Sequence, residues 1–373
     1  MPVIVTIMHE LDVEIPETPA GRYRIHIGRS ILDTVWAALE AEYPKLKKFI
    51  VTDADVVAAG HLRRLLGDVP VPAHIIDPPG EGSKHIGTVI AIVDAMEKAF
   101  LGRDTLIVAL GGGTVGDIAG FAAAIFKRGV NVVQIPTTTV AQADSSVGGK
   151  TGVDSAISKN AYGVFWQPAA VYIDVAALAT LDDRQYRAGL VESVKHALIA
   201  DAKYFDYLET HMPAILARDG AALEHIALKN CRIKAAVVEE DPTEKNRRRI
   251  LNFGHTIGHA VESASGFQLL HGEAVAIGIV AAEYIAQKMD MAAPQRLARI
   301  ENLLSSLSMP LKIPRGLQKA ALIDIIKRDK KAVNQWPRFV LLEAIGRAYC
   351  RDGQWAHDVS PQIVDETLDR LYA

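Results

Sequence analysis

The first half of the chain alternates short apolar runs with segments of helical periodicity. The apolar runs that predict strands are RYRIHIG from Arg22, KKFIVTD from Lys47, PAHIID from Pro72, DTLIVAL from Asp104 and VNVVQIP from Val130. The intervening segments predict helices that begin near residue 30 and cover residues 54–66, 84–100 and 115–126. This alternation is typical of a doubly wound, mainly parallel sheet. We therefore predict a Rossmann-like α/β domain.

Helical periodicity dominates the second half of the chain. Segments 187–199, 220–240, 256–264, 273–289 and 295–307 have apolar residues at helical spacing, whereas 338–342 is only a weak strand candidate. The change falls near residue 182. We therefore predict an α/β domain over residues 1–182, followed by an all-α domain over residues 183–373.

Composition limits the class of protein. A net charge of −3 with neutral histidines gives no overall attraction to nucleic acid or to a membrane surface. The two cysteines, Cys231 and Cys350, offer neither a disulfide framework nor a CxxC metal site. The N-terminus does not resemble a signal peptide, and the most apolar stretches are well short of the roughly 20 residues of a membrane span. We expect a cytoplasmic protein that binds neither nucleic acid nor membrane.

A glycine-rich segment, GGGTVGD at residues 111–117, lies between an apolar strand and a helix. Glycines in this position let backbone N–H groups approach an anion at the helix N-terminus. The letters fit G-x-G-x-x-G, but no acid follows about 20 residues downstream as in an ordinary dinucleotide-binding unit. A plain tight turn therefore stays an alternative. Asp53, at the end of an early strand, is a candidate for a ribose and equally for a helix N-cap.

Two further segments have polar groups that suit a cofactor and an anion. The loop PPGEGSKH contains Glu81 and Lys84, for which a salt bridge within the loop is the alternative interpretation. Residues 136–154, PTTTVAQADSSVGGKTGVD, are rich in hydroxyl groups and glycine and contain Asp144 and Lys150. Because a strand precedes this segment and Lys159-Asn160 follows it, we interpret it as part of a site.

Glu192, His255 and His271 are the strongest candidates for a metal site. Two histidines and one carboxylate, with a fourth position open, form a common catalytic zinc set. His255 and His259 are four residues apart and share a helix face, although such pairs are more often structural. Here a further histidine, His271, follows in a glycine-flanked turn. The sequence contains no HExxH motif, GxSxG motif or complete P-loop.

Taken in order, these motifs resemble the 3-dehydroquinate synthase family. The resemblance runs from about residue 53 to 331, and its most specific stretches are GGGTVGDIAGF, KRG, PTTTVAQADSSVGGKTGV, KN, FWQP, GLVESVKH, LNFGHTIGHAVE and HGEAVAIG. It implies NAD, one divalent cation (Zn or Co) and a homodimer with the active site between two domains. The chain departs at Ser158, where the family usually has glycine, and at Ala161-Tyr162, where Leu-Ile or Met-Ile is usual. These changes flank the expected phosphate pocket.

The resemblance implies a reaction of the shikimate pathway of aromatic amino acid biosynthesis. The phosphorylated sugar acid 3-deoxy-D-arabino-heptulosonate 7-phosphate would give 3-dehydroquinate and phosphate by transient oxidation with NAD, β-elimination, re-reduction and intramolecular aldol closure. The alternatives are another sugar phosphate cyclase, an iron-type NAD-dependent polyol dehydrogenase and a non-catalytic metabolite-binding protein. Asn252 and His259 disfavour the sedoheptulose 7-phosphate branch, which typically has Asp and Pro there.

The matching motifs also imply a role for each site residue. The cation ligands would be Glu192, His255 and His271. NAD would contact Asp53, Glu81, Lys84, Gly111, Gly112, Gly113, Asp117, Thr137, Thr138, Lys150, Lys159 and Thr180. The substrate would contact Arg128, Lys150, Lys159, Asn160, Lys195, Arg248, Asn252, His259 and Lys330, with Lys331 as the alternative to Lys330. Catalysis would depend on Asp144, Lys150, Lys195, Arg248, Asn252 and His259. Arg128 would reach the substrate phosphate in the neighbouring subunit.

Overall fold

The strands of the central sheet form mainly where the sequence has apolar runs. A computed structural model describes residues 21–266, 268–327 and 336–372. Its first eight strands are β1 Arg24–Gly28, β2 Lys47–Asp53, β3 Ala73–Ile76, β4 Thr105–Gly111, β5 Asn131–Pro136, β6 Lys150–Val153, β7 Tyr162–Phe165 and β8 Ala170–Asp174. Six of them form a parallel sheet in the order β1-β8-β5-β4-β2-β3. Every residue of β4 is buried, as expected for a central strand covered on both faces.

Helices cover both faces of this sheet, which confirms the predicted doubly wound arrangement. They are α1 Leu32–Glu42, α2 Ala54–Ala58, α3 His61–Leu66, α4 Ile86–Lys98 and α5 Gly113–Ile125. Helices α1, α2 and α3 pack against one face, and α4 and α5 pack against the other. The single helix predicted over residues 54–66 is in fact two helices. Gly60 separates them because its φ of +82° is one that glycine adopts without strain.

A β-hairpin occupies part of the region that the sequence presents as loops. Strands β6 and β7 pair antiparallel, with Lys150 opposite Phe165 and Val153 opposite Tyr162. All four residues of β7 are exposed. The segment lacks the continuous apolar run that marks the sheet strands, because the hairpin lies outside the sheet. The turn of this hairpin contains the Lys159-Asn160 pair.

The second half of the described chain is almost entirely helical, as predicted. Its helices are α6 Asp183–Ala200, α7 Ala202–Leu216, α8 Gly220–Glu240, α9 His255–Ala264, α10 His271–Lys288, α11 Pro294–Ser306, α12 Lys319–Lys327 and α13 Pro361–Tyr372. A small antiparallel pair, β9 Leu342–Ala344 and β10 Arg347–Ala348, lies between α12 and α13. Helices α7, α12 and α13 are not among the predicted elements. No helix in the described part of the chain has both the length and the apolar character to cross a membrane.

One hydrophobic core joins the helices to β8 of the sheet. Val171 and Ile173 of β8 belong to the same buried cluster as Val191 and Val194 of α6. Asp182 caps α6 by accepting hydrogen bonds from the first helical N–H groups. The change from strands to helices thus falls at the predicted position, and the division into two domains at residue 182 stays a prediction.

Candidate active site

The glycine-rich segment and Asp53 lie at the same edge of the sheet. Asp53 ends β2, Gly111 ends β4 and Thr137 directly follows β5, and these three parallel strands are neighbours. The backbone N–H of Thr137 donates to the carbonyl of Gly111 at 2.9 Å. A Cβ atom on Gly112 would lie 3.0 Å from the methyl group of Thr138, so this turn is closely packed. The carboxyl edge of a parallel sheet is where ligands bind in doubly wound folds.

Asp53 caps a helix, which was one of its two predicted roles. Its Oδ1 accepts a hydrogen bond from the backbone N–H of Val56 at 2.9 Å. Burial raises the pKa of this carboxyl group, although the same hydrogen bond opposes the shift. Its second predicted role, at the ribose of NAD, stays a prediction.

Glu81 and Lys84 form ion pairs with other elements rather than within their own loop. The Lys84 ammonium lies 2.6 Å from Oδ2 of Asp117 in α5. Glu81 Oε1 lies 2.9 Å from the ammonium of Lys159 in the hairpin turn. Burial alone would lower the pKa of Lys84, but Asp117 and then Glu81 outweigh burial and raise it. The loop is therefore fixed to both α5 and the hairpin.

Thr180 lies at the end of a short 3₁₀ segment, Val175–Thr180, that follows β8. Its hydroxyl is 2.7 Å from Nε2 of His61, the first residue of α3. Thr180 itself is exposed. It therefore lies beyond the carboxyl end of a sheet strand, as Gly112 and Thr137 do.

Three helices bring Glu192, His255 and His271 together. Glu192 lies in the buried middle of α6, while His255 and His271 are the first residues of α9 and α10. Glu192 Oε1 is 3.3 Å from Nε2 of His271 and 3.8 Å from Nε2 of His255. The centroids of the two imidazole rings are 5.2 Å apart. One carboxylate oxygen and two imidazole nitrogens thus face a common point.

The second nitrogen of each of these histidines also faces an acceptor. Nδ1 of His255 is 3.0 Å from the carbonyl of Phe253, which makes Nδ1 the protonated nitrogen and leaves a lone pair on Nε2. Burial, and then the Lys195 charge, lower the pKa of His255 well below its usual value. Nδ1 of His271 is 3.6 Å from Oε2 of Glu262. Burial alone would lower the pKa of His271, but Glu192 and Glu262 outweigh burial and raise it to about 9.

Two groups of side chains in the described residues have the geometry of a cation site. One consists of His255, His259 and His271, and the other of Asp144, Glu192 and His196. In the second group the ammonium of Lys195 contacts Glu192 and lies 3.9 Å from Asp144 Oδ2. A cation there would be repelled by this charge. The histidine side of Glu192 is therefore the more suitable position for a metal ion.

Asp144 lies in a buried cluster of charges behind Glu192. Its Oδ1 is 2.7 Å from the ammonium of Lys234 and 3.6 Å from Nε2 of His196. Burial alone would raise the pKa of Asp144, but Lys195 and then Lys234 hold it well below its usual value. The carboxylate is therefore ionised and held by two ammonium groups.

Lys234 was not among the predicted site residues, although the sequence contains a signal for it. Helix α8 has a buried stripe at helical spacing that includes Cys231, Val237 and Val238, and Lys234 lies on the same stripe. Asn230 also lies there, and its side chain contacts His196 and donates to Ser193. A lysine and an asparagine on an apolar helix face indicate buried polar partners.

A second group of polar residues lies around the start of the hairpin. The Lys150 ammonium is 2.5 Å from Oε2 of Glu244, and the Asn252 side-chain amide donates to Oε1 of Glu244. The Arg248 guanidinium is fully buried and donates to the carbonyls of Gly148 at 2.8 Å and Pro242 at 2.6 Å. Glu244 was missed because it lies in an irregular turn that has no periodic pattern.

The remaining predicted substrate contacts occupy three positions. Lys159 and the exposed Asn160 lie in the hairpin turn, where Lys159 is 3.0 Å from Glu262 Oε1. Arg128 is exposed and follows the 13 residues of α5, so it lies roughly 20 Å from the glycine-rich start of that helix. Arg128 thus lies at the opposite end of α5 from the glycine-rich turn. Lys330 and its alternative Lys331 lie outside the described residues.

Comparison with known proteins assigns the family. Residues 74–188 match the family model for the 3-dehydroquinate synthase N-terminal domain, and residues 189–332 match that for the C-terminal domain. A 3-dehydroquinate synthase of Symbiobacterium thermophilum is 43% identical over 94% of this chain and 98% of its own length. Another, from Nitrosospira multiformis, is 41% identical over 98% of this chain and 100% of its own.

Solved structures show the same fold. A 2-epi-5-epi-valiolone synthase from Streptomyces hygroscopicus subsp. jinggangensis, with NAD+ and Zn2+ bound, has a TM-score of 0.82 at 30% identity and covers 96% of this chain and 99% of its own. A 2-deoxy-scyllo-inosose synthase, complexed with carbaglucose-6-phosphate, NAD+ and Co2+, has a TM-score of 0.82 at 27% identity, with coverage of 93% and 96%. The family models span more than half of the chain, and the curated relatives span nearly all of it. The chain belongs to the 3-dehydroquinate synthase family.

Proposed function

We propose that this protein is a phosphate-eliminating cyclase that converts 3-deoxy-D-arabino-heptulosonate 7-phosphate into 3-dehydroquinate and phosphate, with NAD and one divalent cation. The observation that supports this most is the convergence of Glu192, His255 and His271 from three helices. The relatives named 3-dehydroquinate synthase are 41–47% identical to this chain, whereas the valiolone and inosose synthases are only 30% and 27% identical. These identities favour the dehydroquinate reaction over the reactions of the other two synthases.

The three proposed ligands fit a zinc or cobalt ion. Glu192 Oε1 is buried and receives no well-aligned hydrogen bond from the described residues, although it faces two imidazole nitrogens. A neutral His255 with its lone pair on Nε2 is the form that binds a metal. When bound, the cation would lower the pKa of a coordinated substrate hydroxyl, and NAD would accept and return a hydride.

The proposed NAD site is the carboxyl edge of the sheet. Gly111, Gly112 and Gly113 would let the backbone approach the pyrophosphate at the N-terminus of α5. The other proposed contacts are Asp53, Glu81, Lys84, Asp117, Thr137, Thr138, Lys150, Lys159 and Thr180. The ion pair of Lys84 with Asp117 supports this role, because it fixes the loop beside α5.

The proposed phosphate pocket contains Lys150, Lys159, Asn160, His259 and Lys330. Lys150 pairs with Glu244, and Lys159 pairs with Glu81 and Glu262. These carboxylates would hold the two ammonium groups in place for a substrate phosphate. Arg248 is proposed for the substrate carboxylate because a guanidinium can bind it with two hydrogen bonds.

The proposed catalytic residues are Asp144, Lys150, Lys195, Arg248, Asn252 and His259. Burial alone would lower the pKa of Lys195, but Asp144 and Glu192 outweigh burial and raise it. Lys195 therefore keeps its proton at Nζ and provides a fixed positive charge beside the proposed metal ligands. Such a charge would stabilise an oxygen that becomes negative during the reaction.

A homodimer is part of the proposal, with Arg128 reaching the phosphate in the partner's site. The outer edge of β7 pairs with no other strand of the described chain. Tyr162, Val164 and Phe165 of this strand are large exposed apolar side chains, as is Ile125 at the end of α5. An unpaired strand edge with apolar side chains favours contact with another chain. Arg128 lies three residues beyond Ile125.

The purified protein, with catalytic NAD and added zinc or cobalt, tests this function. We expect it to release inorganic phosphate from the heptulosonate phosphate without accumulating NADH. Sedoheptulose 7-phosphate and a simple polyol serve as comparison substrates. Preferred turnover of the former would identify another cyclase, and net NADH formation from the latter would identify a dehydrogenase.

A further inference from the structure

Glu262 lies between the proposed metal site and the proposed phosphate pocket. It is the eighth residue of α9, on which His255 is the first, and its side chain is only 5% exposed. Oε2 lies 3.6 Å from Nδ1 of His271, and Oε1 lies 3.0 Å from the ammonium of Lys159. Each carboxylate oxygen of Glu262 therefore faces a different functional group.

We propose that Glu262 is a positioning residue, which orients His271 for the cation with one oxygen and retains Lys159 beside the phosphate pocket with the other. The inference rests on the proposed function, because it takes His271 as a cation ligand and Lys159 as a phosphate contact. Neither the sequence motifs nor the resemblance assigns a role to Glu262.

The contact with His271 determines which imidazole nitrogen is available. A carboxylate at Nδ1 favours the ring with its proton on that nitrogen, so that Nε2 faces Glu192 and the proposed cation. His255 receives the same kind of support from the carbonyl of Phe253. The two proposed histidine ligands thus have different supporting acceptors, one neutral and one charged.

The contact with Lys159 connects this histidine to the NAD-binding edge. The Lys159 ammonium lies between Glu262 and Glu81, and Glu81 also accepts a hydrogen bond from the Thr114 hydroxyl at 3.2 Å. Thr114 belongs to the glycine-rich start of α5. Glu262 and Glu81 therefore hold the lysine between α9 and α5.

The first test is the affinity of the metal-free protein for Zn2+, measured by competition with a chromophoric chelator. We expect Glu262→Gln to weaken binding by about 10- to 100-fold, the range typical of a lost carboxylate partner on a metal-binding histidine. Glu262→Asp retains the charge but shortens the side chain, so its loss should be smaller. Wild-type affinity in both variants would overturn the proposal.

The matched control is Glu283→Gln in α10. Glu283 is fully buried and ion-paired, with the Arg296 guanidinium 2.6 Å away, but it lies about three turns beyond His271. A purely structural effect of losing a buried carboxylate would appear in both variants as reduced thermal stability. Only Glu262→Gln should also weaken Zn2+ binding, and an equal loss in Glu283→Gln would overturn the proposal.

The second test uses inorganic phosphate and the metal-free protein in titration calorimetry. Glu262→Gln removes one of the two carboxylates that hold Lys159 beside the pocket, so we expect phosphate to bind several-fold more weakly. Lys159→Met should weaken phosphate binding at least as much, and adding Glu262→Gln to it should cause no further loss. Unchanged or tighter phosphate binding in Glu262→Gln would overturn the role at Lys159. If His271→Ala binds Zn2+ as wild type does, the proposed metal site itself fails. Loss in His271→Ala with no loss in Glu262→Gln rejects only the present inference.

Discussion

Lys234 and Asp144, 90 residues apart in the sequence, form an ion pair of 2.7 Å in which the ammonium group is buried and the carboxylate is partly buried. The same ammonium group also donates to the backbone carbonyl of Asp144. Burial lowers the pKa of Lys234 more than Asp144 raises it. Helix α8 thereby fixes both the backbone and the carboxylate of Asp144. This carboxylate faces Lys195, which lies beside the proposed metal ligands.

Replacing Lys234 with methionine should destabilise the protein. Because the change removes one of the two ammonium groups that hold Asp144, at a position where the lysine side chain is only 5% exposed, we expect a loss of about 3 kcal/mol in the free energy of unfolding, measured in urea. Lys229→Met is the matched control on the same helix, since Lys229 forms a partly exposed pair with Asp201. Its loss should be about 1 kcal/mol or less. Equal losses in the two variants would show that the ion pair of Lys234 contributes no more to stability than the partly exposed pair of Lys229.

His271→Ala should abolish metal retention and turnover together. Removing a ligand should lower turnover by at least about 100-fold, the upper end of what a lost partner of a ligand costs. Metal analysis of the purified variant and the phosphate-release assay check the two effects. His211→Ala, which changes an exposed histidine on α7, should alter neither. Full metal occupancy in His271→Ala would refute the ligand assignment.

Arg128→Ala should leave metal and NAD binding intact while impairing use of the phosphorylated substrate. Loss of a charged hydrogen-bonded contact costs about 2 kcal/mol or more, so we expect kcat/KM to fall by about 30-fold or more. Arg347→Ala provides a control at another exposed arginine. Normal kinetics in the Arg128 variant would contradict the proposed contact.

Mixing two impaired variants tests whether Arg128 acts across the dimer. In a hybrid of Arg128→Ala and His271→Ala subunits, one site would have an intact metal set and would receive Arg128 from the other subunit. We expect the mixture, after dissociation and reassociation, to recover part of the wild-type activity. If hybrids form but remain inactive, Arg128 does not act on the partner's site.

The two cysteines should differ in reactivity. Burial raises the pKa of the Cys231 thiol from 9.0 to about 12, whereas Cys350 is exposed. A chromogenic thiol reagent at neutral pH should modify Cys350 rapidly, and Cys231 only after unfolding. The raised pKa means that the folded state favours the neutral thiol. The stability that the Cys231 thiol contributes is therefore complete below pH 9 and is lost as the pH rises toward 12. Rapid modification of both thiols in the native protein would contradict this.

Five of the six strands of the sheet could be predicted from their apolar runs, whereas β8, Ala170–Asp174, was not predicted although all five of its residues are buried. Strand β2, Lys47–Asp53, has the bounds that its apolar run indicates. The β6–β7 hairpin could not be recognised in this way, since β7 is exposed along its whole length. Helix α7 was missed although one face of it is buried, at positions that include Tyr204, Phe205 and Leu208.

The site was predictable in its residue types but not in its pairings. Glu192, His255 and His271 could be selected from motifs, and they lie together. The partners Glu244 and Glu262 could not, because an ion pair between distant segments leaves no local pattern. The assignment of each side chain to cation, cofactor or substrate stays a prediction.

The sequence by itself determined the alternating α/β first half, the helical second half, and the segments that contain the site. Hydrophobic periodicity and glycine-rich turns are local properties, so they can be recognised one segment at a time. Only the tertiary structure decided that Phe253 and Glu262 support the two histidines, and that Lys234 holds Asp144. These contacts depend on how α6, α8, α9 and α10 pack around one core, and that packing follows from many distant contacts acting together.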